Sequence, residues 1–252
     1  MALLFSAPLT STVTEFDAAQ ANGVINDPRG LVAPIPGYLE INQAPDGSSA
    51  LMSRITPADA GTYGGIRSEI DDAPQANAER WYVWETFFPS GFQTTDLLTF
   101  MQIHDSPDGG ESPVKYINFG VFASATEIIC RVPRDTPNET YSTDRVVGVT
   151  PLITGRWVKC GLHARWEIDA TGFIEFSYDG RMVANEWFRP SHFPDVRRPY
   201  FKAGLYNTSG DQGLISDHSA WYRNVAIWEG PHTAAEVLGA PIAPALMRVN
   251  AP

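Results

Sequence analysis

Three segments of the chain carry polar side chains at every second position, on stretches whose alternate positions are apolar. They are Arg67 with Glu69, Gln102 with His104, and Tyr200 with Lys202 and Tyr206. Side chains two residues apart on a β-strand point to the same face, so each segment would present a short polar face. These residue types bind anions and transfer protons. Each pair alone also fits a structural role, and it is their combination that indicates a functional site.

The segment Tyr200–Asn207 is the most informative of the three. As a strand it places Phe201, Ala203 and Leu205 on an apolar face, and two phenols and an ammonium on the other. Gly204 lies between the polar residues, and its missing side chain would leave room for a ligand against the sheet. A merely solvated face would more usually carry Thr, Ser, Glu and Lys.

The rest of the sequence predicts the strands that position these segments. The chain has 252 residues, 43% of them hydrophobic and 19% charged, with 21 Gly and 20 Pro. This composition favours many strands joined by turns. The predicted strands are 37–41, 50–55, 64–70, 81–88, 97–104, 115–123, 126–132, 156–168, 173–178, 181–184, 200–207 and 221–228.

The fold class expected from this pattern is all-β, a two-sheet antiparallel sandwich of the jelly-roll (concanavalin A-like) type. Asp179-Gly180 is a typical hairpin turn, and helical periodicity occurs only near 233–238. We expect one domain over 1–238 and an extended Ala/Pro-rich tail over 239–252. A polar loop is expected over 134–143.

Strand alternation also predicts which side chains are buried. In 97–104, Leu98 and Phe100 should share a face with Gln102 and His104. In 156–168, the residues from Val158 to Ile168 at even positions should be core, while His163 points outward in a structural or solvent-facing role.

Charge and cysteine content exclude several functions. The net charge is −11, which argues against a nucleic-acid partner, because a phosphate backbone requires a basic surface. Cys130 and Cys160 lie on apolar strand positions, so we expect two free core thiols, with one inter-strand disulfide as the alternative. Neither spacing indicates a metal site. No segment is long enough to span a bilayer, and the N-terminus lacks the features of a signal peptide.

The three polar segments resemble the signature strands of a family of enzymes. Arg67-Ser68-Glu69-Ile70, Gln102-Ile103-His104 and the strand Tyr200–Asn207 (YFKAGLYN) are similar to motifs of alginate lyases, in the same order. Heparin lyase I-like and glucuronan lyases share the jelly roll and the Lys-x-x-x-Tyr strand. The third motif is long and specific, and the resemblance extends to about residue 228.

The resemblance implies a carbon–oxygen lyase that cleaves a uronate-containing acidic polysaccharide by β-elimination, without a metal or other cofactor. Arg67 and Gln102 would neutralise the uronate carboxylate. His104 or Tyr206 would remove the C5 proton, and Tyr206 would protonate the departing oxygen, its pKa lowered by Lys202 and Arg67. Glu69 would orient Arg67. Substrate-binding roles are implied for Lys202, Tyr200, Asn207 and Glu69.

The sequence departs from the alginate-lyase motifs at two positions. Asp71 replaces a second arginine, and Thr208 replaces a glutamine. An acid in place of an arginine weakens the binding of a polyanion, so the identity of the polymer stays open.

Two other functions compete with this interpretation. A laminarinase-like glycoside hydrolase needs a second glutamate where Pro74 stands, so the sequence excludes it. A non-catalytic carbohydrate-binding jelly roll, or one that decorates a phage tail or capsid, stays open. The expected substrates are extracellular, and no export signal is evident. We therefore expect an extracellular protein or one associated with a virion, where its partners would be other virion proteins.

Overall fold

The structure is a computed structural model that describes residues 2–9, 18–21, 24–26, 35–61, 65–72, 79–92, 94, 97–104, 117–133, 144–187, 199–207 and 216–239. Within them the chain forms sixteen strands and one short helix. The strands are β1 (Ala2–Ala7), β2 (Ala18–Ala21), β3 (Val24–Asn26), β4 (Leu39–Gln43), β5 (Ser49–Ile55), β6 (Ile66–Asp71), β7 (Glu79–Phe87), β8 (Leu98–His104), β9 (Ile117–Ala123), β10 (Glu127–Pro133), β11 (Asp144–Pro151), β12 (Trp157–Arg165), β13 (Phe173–Tyr178), β14 (Arg181–Trp187), β15 (Tyr200–Asn207) and β16 (His218–Glu229). The helix is α1 (Ala234–Leu238).

Two antiparallel sheets pack face to face as a jelly-roll sandwich, as the sequence predicts. Sheet A has the order β14-β13-β12-β7-β16-β5-β4, with β1 also paired to β16. Sheet B has the order β11-β10-β9-β8-β15-β6-β2-β3. The three polar segments of the sequence are therefore β6, β15 and β8, which are adjacent in the middle of sheet B.

The core lies between the sheets and is strongly aromatic. Phe201 of β15 packs against Tyr82 and Trp84 of β7, with ring centroids 5.9 and 5.5 Å apart. The indole of Trp166 donates a hydrogen bond to the Tyr82 hydroxyl at 2.9 Å, which satisfies a polar group inside the core. Burial of such large rings is the main favourable contribution to folding of a sandwich. It fixes the core face of β15 and hence turns its polar face outward.

Several local predictions are confirmed. The hairpin turn lies at Asp179 and Gly180, whose φ angles of 53° and 71° are the positive values expected for this turn. Helix α1 begins after the N-cap Thr233, where Glu236 completes a capping box, and Gly239 caps its end. Cys130 and Cys160 are free and buried in the core. Burial raises the pKa of both thiols.

Other expectations are wrong or lie outside the described residues. Strand β12 ends at Arg165, so Ile168 lies beyond the strand and is 49% exposed instead of buried. Strands β1, β2, β3 and β11 are absent from the predicted set. The predicted loop 134–143 and the tail beyond Gly239 are outside the described residues. No helix in the described part of the chain has the length and hydropathy needed to cross a bilayer.

Candidate active site

The polar faces of β6, β15 and β8 meet in one area, which we call the site face. Strand pairing sets their order, because directly opposite residues in antiparallel strands share a face. His104 lies opposite Tyr200, and Gln102 and Asp71 both lie opposite Lys202. Glu69 is opposite Gly204. At the other end of the site, Tyr206 lies between Arg67 and Thr99.

Glu69 is the centre of this arrangement and is fully buried. Its Oε1 accepts a hydrogen bond from Gln102 Nε2 at 2.7 Å. Its Oε2 lies 3.4 Å from Arg67 Nη1 and 3.3 Å from Lys202 Nζ. One carboxylate thus contacts a donor from each of three strands. The contact with Arg67 is the one that the predicted orienting role of Glu69 requires, and Gln102 makes a second such contact.

Lys202 lies between two carboxylates. Its ammonium is 3.3 Å from Glu69 Oε2 and 3.5 Å from Asp71 Oδ1, and its side chain is only 3% exposed. Burial disfavours the charged ammonium, but Asp71 and Glu69 outweigh that penalty and raise the pKa of Lys202. A buried, doubly paired ammonium fits a role in holding the site together better than the predicted direct contact with substrate.

Tyr206 is held from two sides. The Arg67 guanidinium lies over its ring, 4.0 Å from the centroid. A Cβ on Gly65 would lie 2.4 Å from Tyr206 Cε2, so the glycine is needed for the ring to take this position. Burial raises the pKa of Tyr206, although Arg67 and Lys202 lower it as predicted. The net direction is therefore opposite to the expectation, because desolvation is the larger effect.

His104 and Tyr200 form the other end of the site. The Tyr200 hydroxyl is 3.3 Å from His104 Nδ1, and the rings are 5.5 Å apart. Burial raises the pKa of Tyr200 to about 12, so its hydroxyl keeps its proton at neutral pH. Tyr200 is thus placed to orient the His104 ring.

Two predicted details of the site differ in the structure. Asn207 is fully buried and follows Tyr206 directly, so strand alternation turns it from the site face, which does not fit a substrate-binding role. Phe100 lies in the core and not beside Gln102. The pairing of β8 is irregular between Thr99 and Met101, and such a bulge shifts the alternation by one residue.

The role of Gly204 also needs correction. Its φ is +140°, and a Cβ at this position would lie 2.0 Å from the Ser68 carbonyl oxygen. The glycine therefore permits close approach of β6 to β15 and does not leave room for a ligand. The β15–β8 pairing is irregular between Ala203 and Tyr206, so this glycine sits in a bulge beside the predicted catalytic tyrosine.

Ser53 is a site-supporting residue that sequence reasoning missed. It lies on β5 of sheet A, accepts a hydrogen bond from Leu205 N at 2.8 Å and donates one to Ser68 O at 2.6 Å. It thereby bridges the two sheets at the bulge. A lone serine in an apolar strand carries no signal of such a contact.

His163 proves to be structural, one of the two roles expected for it. It is 9% exposed, stacks on Trp81 at 4.3 Å, and its two ring nitrogens lie 3.0 Å from Glu79 and Glu175. This cluster belongs to sheet A, away from the site face. Among the described residues, no group of three or more His, Cys, Asp or Glu side chains is arranged to hold a metal ion.

Comparisons with known proteins identify the family and the fold. A family described as "Polysaccharide lyase" matches residues 12–226. A search of curated proteins finds no match. Among solved structures, an endo-β-1,4-glucuronan lyase from the fungus Trichoderma reesei is 19% identical with a TM-score of 0.66, covering 91% of this chain and 96% of its own.

Alginate lyases have the same architecture. One from polysaccharide lyase family 7 is 14% identical with a TM-score of 0.60, covering 89% of this chain and 99% of its own. Another, from Corynebacterium sp., is 14% identical with a TM-score of 0.59, covering 90% of this chain and 99% of its own. At these identities the likeness shows a shared fold.

Proposed function

The chain belongs to the polysaccharide lyase family, and we propose that it cleaves a uronate-containing acidic polysaccharide by β-elimination at the site face. The observation that carries the proposal is the Glu69-centred network, which presents Arg67 and Gln102 beside the two proton-transfer residues. The glucuronan and alginate lyases that share its fold act on uronate polymers, which supports the same substrate class here.

In the proposed reaction, Arg67 and Gln102 bind the carboxylate of the uronate whose C5 proton is removed. Neutralising this carboxylate stabilises the enolate-like intermediate that follows proton loss. Gln102 donates one hydrogen bond to Glu69, and its buried Oε1 has no hydrogen-bond partner among the described residues. The Glu69 contact fixes the direction of the amide, so that rotation into a competing orientation is disfavoured.

We assign His104 as the base and Tyr206 as the acid. His104 takes the C5 proton, the electron pair of that bond forms the C4–C5 double bond, and the C4–O bond breaks. Tyr206 gives its proton to the departing glycosidic oxygen. This division is supported by the raised pKa of Tyr206, since a phenol that keeps its proton at neutral pH is suited to donate it. Strand pairing puts both residues on the same face of sheet B.

The test is the ultraviolet absorbance of the unsaturated product with glucuronan, alginate, heparin-like and bacterial capsular polymers. We expect an absorbance rise with at least one polymer. Tyr206→Phe should abolish it while preserving the thermal unfolding temperature, because the ring keeps its contact with Arg67. His104→Ala should lower kcat by about 10²–10⁴-fold.

The competing function, a non-catalytic carbohydrate-binding or virion jelly roll, predicts a different result. Some polymer would bind, and none would give an absorbance rise. Wild-type turnover by Tyr206→Phe would contradict the assigned acid even if the protein is a lyase. Because the proposed substrates are extracellular, we also propose that the protein acts outside the cell.

A further inference from the structure

Phe100 of β8 has no opposite residue on either neighbouring strand, among the pairs that the described residues form. Towards β15, the two residues Gly204 and Leu205 face the single position of Phe100. Towards β9, the pairing is irregular between Thr99 and Met101. Phe100 therefore lies at a bulge on both of its sides.

This bulge turns the predicted site residues of β8 towards the site face. The Phe100 side chain lies in the core, so regular alternation would send Gln102 and His104 into the core as well. Met101 is also a core residue, which shifts the alternation by one position, and Gln102 instead contacts Glu69 on the site face. The bulge thus sets the orientation of the residues proposed to bind the carboxylate and to remove the proton.

Tyr222 binds the backbone of this bulge from the opposite sheet. It lies on β16 of sheet A, is fully buried, and donates its hydroxyl to Phe100 O at 3.1 Å. The phenol also interacts with the backbone of Gly204, at the bulge of β15. Burial raises the pKa of Tyr222 well above its ordinary value, so the hydroxyl keeps its proton and remains a donor. Loss of this donor would remove a hydrogen bond from a buried carbonyl, which is destabilising.

The contact made by Tyr222 differs from the one made by Ser53. The Ser53 hydroxyl accepts from Leu205 N on β15, directly before Tyr206 in the chain. The Tyr222 hydroxyl instead binds Phe100 O on β8. The two hydroxyls of sheet A therefore act on different strands of the site, and their removal should displace different site residues.

We propose that Tyr222 is a positioning residue, whose hydroxyl holds the bulge at Phe100 and thereby directs Gln102 and His104 onto the site face. This inference rests on the proposed function, because it assigns Tyr222 a role in that reaction. Tyr222 lies in the core between the two sheets, so it acts through the backbone of β8 and not by contact with substrate.

The experiment compares Tyr222→Phe, which removes the hydroxyl and keeps the ring, with the wild type. In the free protein, the NMR resonances of the Gln102 side-chain amide and the His104 ring report on their surroundings, and Gln102→Ala and His104→Ala variants assign them. We expect the resonances of both residues to shift. With a polymer that the wild type cleaves, kcat should fall about 10- to 100-fold, because a small displacement of a reacting group is costly.

The matched control is Tyr178→Phe. Tyr178 is a buried tyrosine on β13 of sheet A, and its hydroxyl accepts a hydrogen bond from Ile153 N at 3.2 Å, away from the site face. Its loss should leave the Gln102 and His104 resonances and kcat unchanged. If Tyr222→Phe does not fold, Tyr222→4-fluorophenylalanine replaces it, since fluorine fills the space of the hydroxyl without donating. Thermal unfolding of each variant identifies such a failure.

Unchanged resonances or a wild-type kcat in the folded Tyr222 variant overturns the proposed role, and so does an equal effect of Tyr178→Phe. The resonances are measured without substrate, so their outcome is separate from the test of the reaction. A wild-type protein that gives no unsaturated product with any polymer contradicts the proposed lyase activity, while the resonances still decide whether Tyr222 positions Gln102 and His104.

Discussion

Glu69 shows how one buried carboxylate organises three donor side chains on the site face. Arg67, Gln102 and Lys202 come from three strands, and each would otherwise have several rotamers available. A shared acceptor at 2.7–3.4 Å restricts all three, so less conformational entropy would be lost on binding of a substrate carboxylate as proposed. Because Glu69 is fully buried, loss of its charged partners would leave an uncompensated charge in the protein interior.

The proposed roles of His104 as the base and Tyr206 as the acid predict the pH dependence of the reaction. Tyr206 must be protonated to act as the acid, and burial raises its pKa above the ordinary value. The active form is the one present below that pKa, so raising the pKa moves the loss of activity to higher pH. We expect kcat/KM to reach a plateau and to fall only above about pH 10. The measurement is initial rate against pH.

The same profile distinguishes the other assignment. If Tyr206 were the base, the phenolate would be the active form, and kcat/KM would rise about tenfold per pH unit through pH 9. A rate that keeps rising in this way would contradict the assignment of Tyr206 as the acid. His104→Ala serves as the control, because it removes the base and leaves the alkaline limb in place.

At the scale of elements, the bulge of β15 determines the position of the Tyr206 side chain. Gly204 allows β6 to approach closely, and the irregular pairing with β8 leaves the Leu205 N–H to Ser53 on the opposite sheet. Because Tyr206 follows Leu205 directly, a shift of this backbone moves the phenol. The second sheet thus supports the site through the Ser53 hydroxyl, and the Tyr222 hydroxyl of β16 also donates to Phe100 O on β8 at 3.1 Å.

We expect Ser53→Ala to lower the free energy of unfolding by about 1–3 kcal/mol, because the buried Leu205 N–H loses its acceptor. It should also lower kcat by about 10- to 100-fold by displacing Tyr206. Chemical denaturation and initial rates measure the two effects. Ser177→Ala is the control, since this buried serine on β13 donates to Gly161 O far from the site and should leave kcat unchanged. Wild-type stability and kcat in Ser53→Ala would contradict this role.

The site could be predicted from the sequence as far as strand alternation holds. The alternation of Tyr200–Asn207 places Tyr200, Lys202 and Tyr206 together correctly, since Phe201, Ala203 and Leu205 are fully buried. On β8 the alternation fails at Phe100, where the pairing with β9 is irregular. The sequence gives no local sign of such a bulge, because a bulge depends on the neighbouring strand. The contact between Ser53 and Leu205 joins residues 152 positions apart, so no pattern within one strand predicts it.

The molecule as a whole is built from two sheets that meet in one core. The sequence predicts this architecture because many of its segments alternate between apolar and polar residues. Strand β1 was missed because it pairs with β16, more than 200 residues away in the sequence, so only the assembled fold makes it a strand. We propose that residues 1–238 form one domain, since both sheets contribute to a single hydrophobic cluster.

The reactivity of the two cysteines measures whether the two sheets stay packed against each other. Cys130 lies on β10 of sheet B and Cys160 on β12 of sheet A, and both are fully buried in the shared core. Burial raises the pKa of each thiol above its ordinary value, so little thiolate is present at pH 8 and solvent does not reach it.

We expect both thiols to resist a disulfide reagent in the native protein and to become reactive together. Because neither sheet can expose its cysteine without separating from the other, labelling should require global unfolding. The labelling rates of Cys130 and Cys160, followed by mass spectrometry in increasing urea, should share one denaturant dependence that matches the equilibrium slope. Cys130→Ala and Cys160→Ala variants identify each rate separately. Rapid labelling of one cysteine under native conditions would show that its sheet opens independently, which would contradict a single cooperative core.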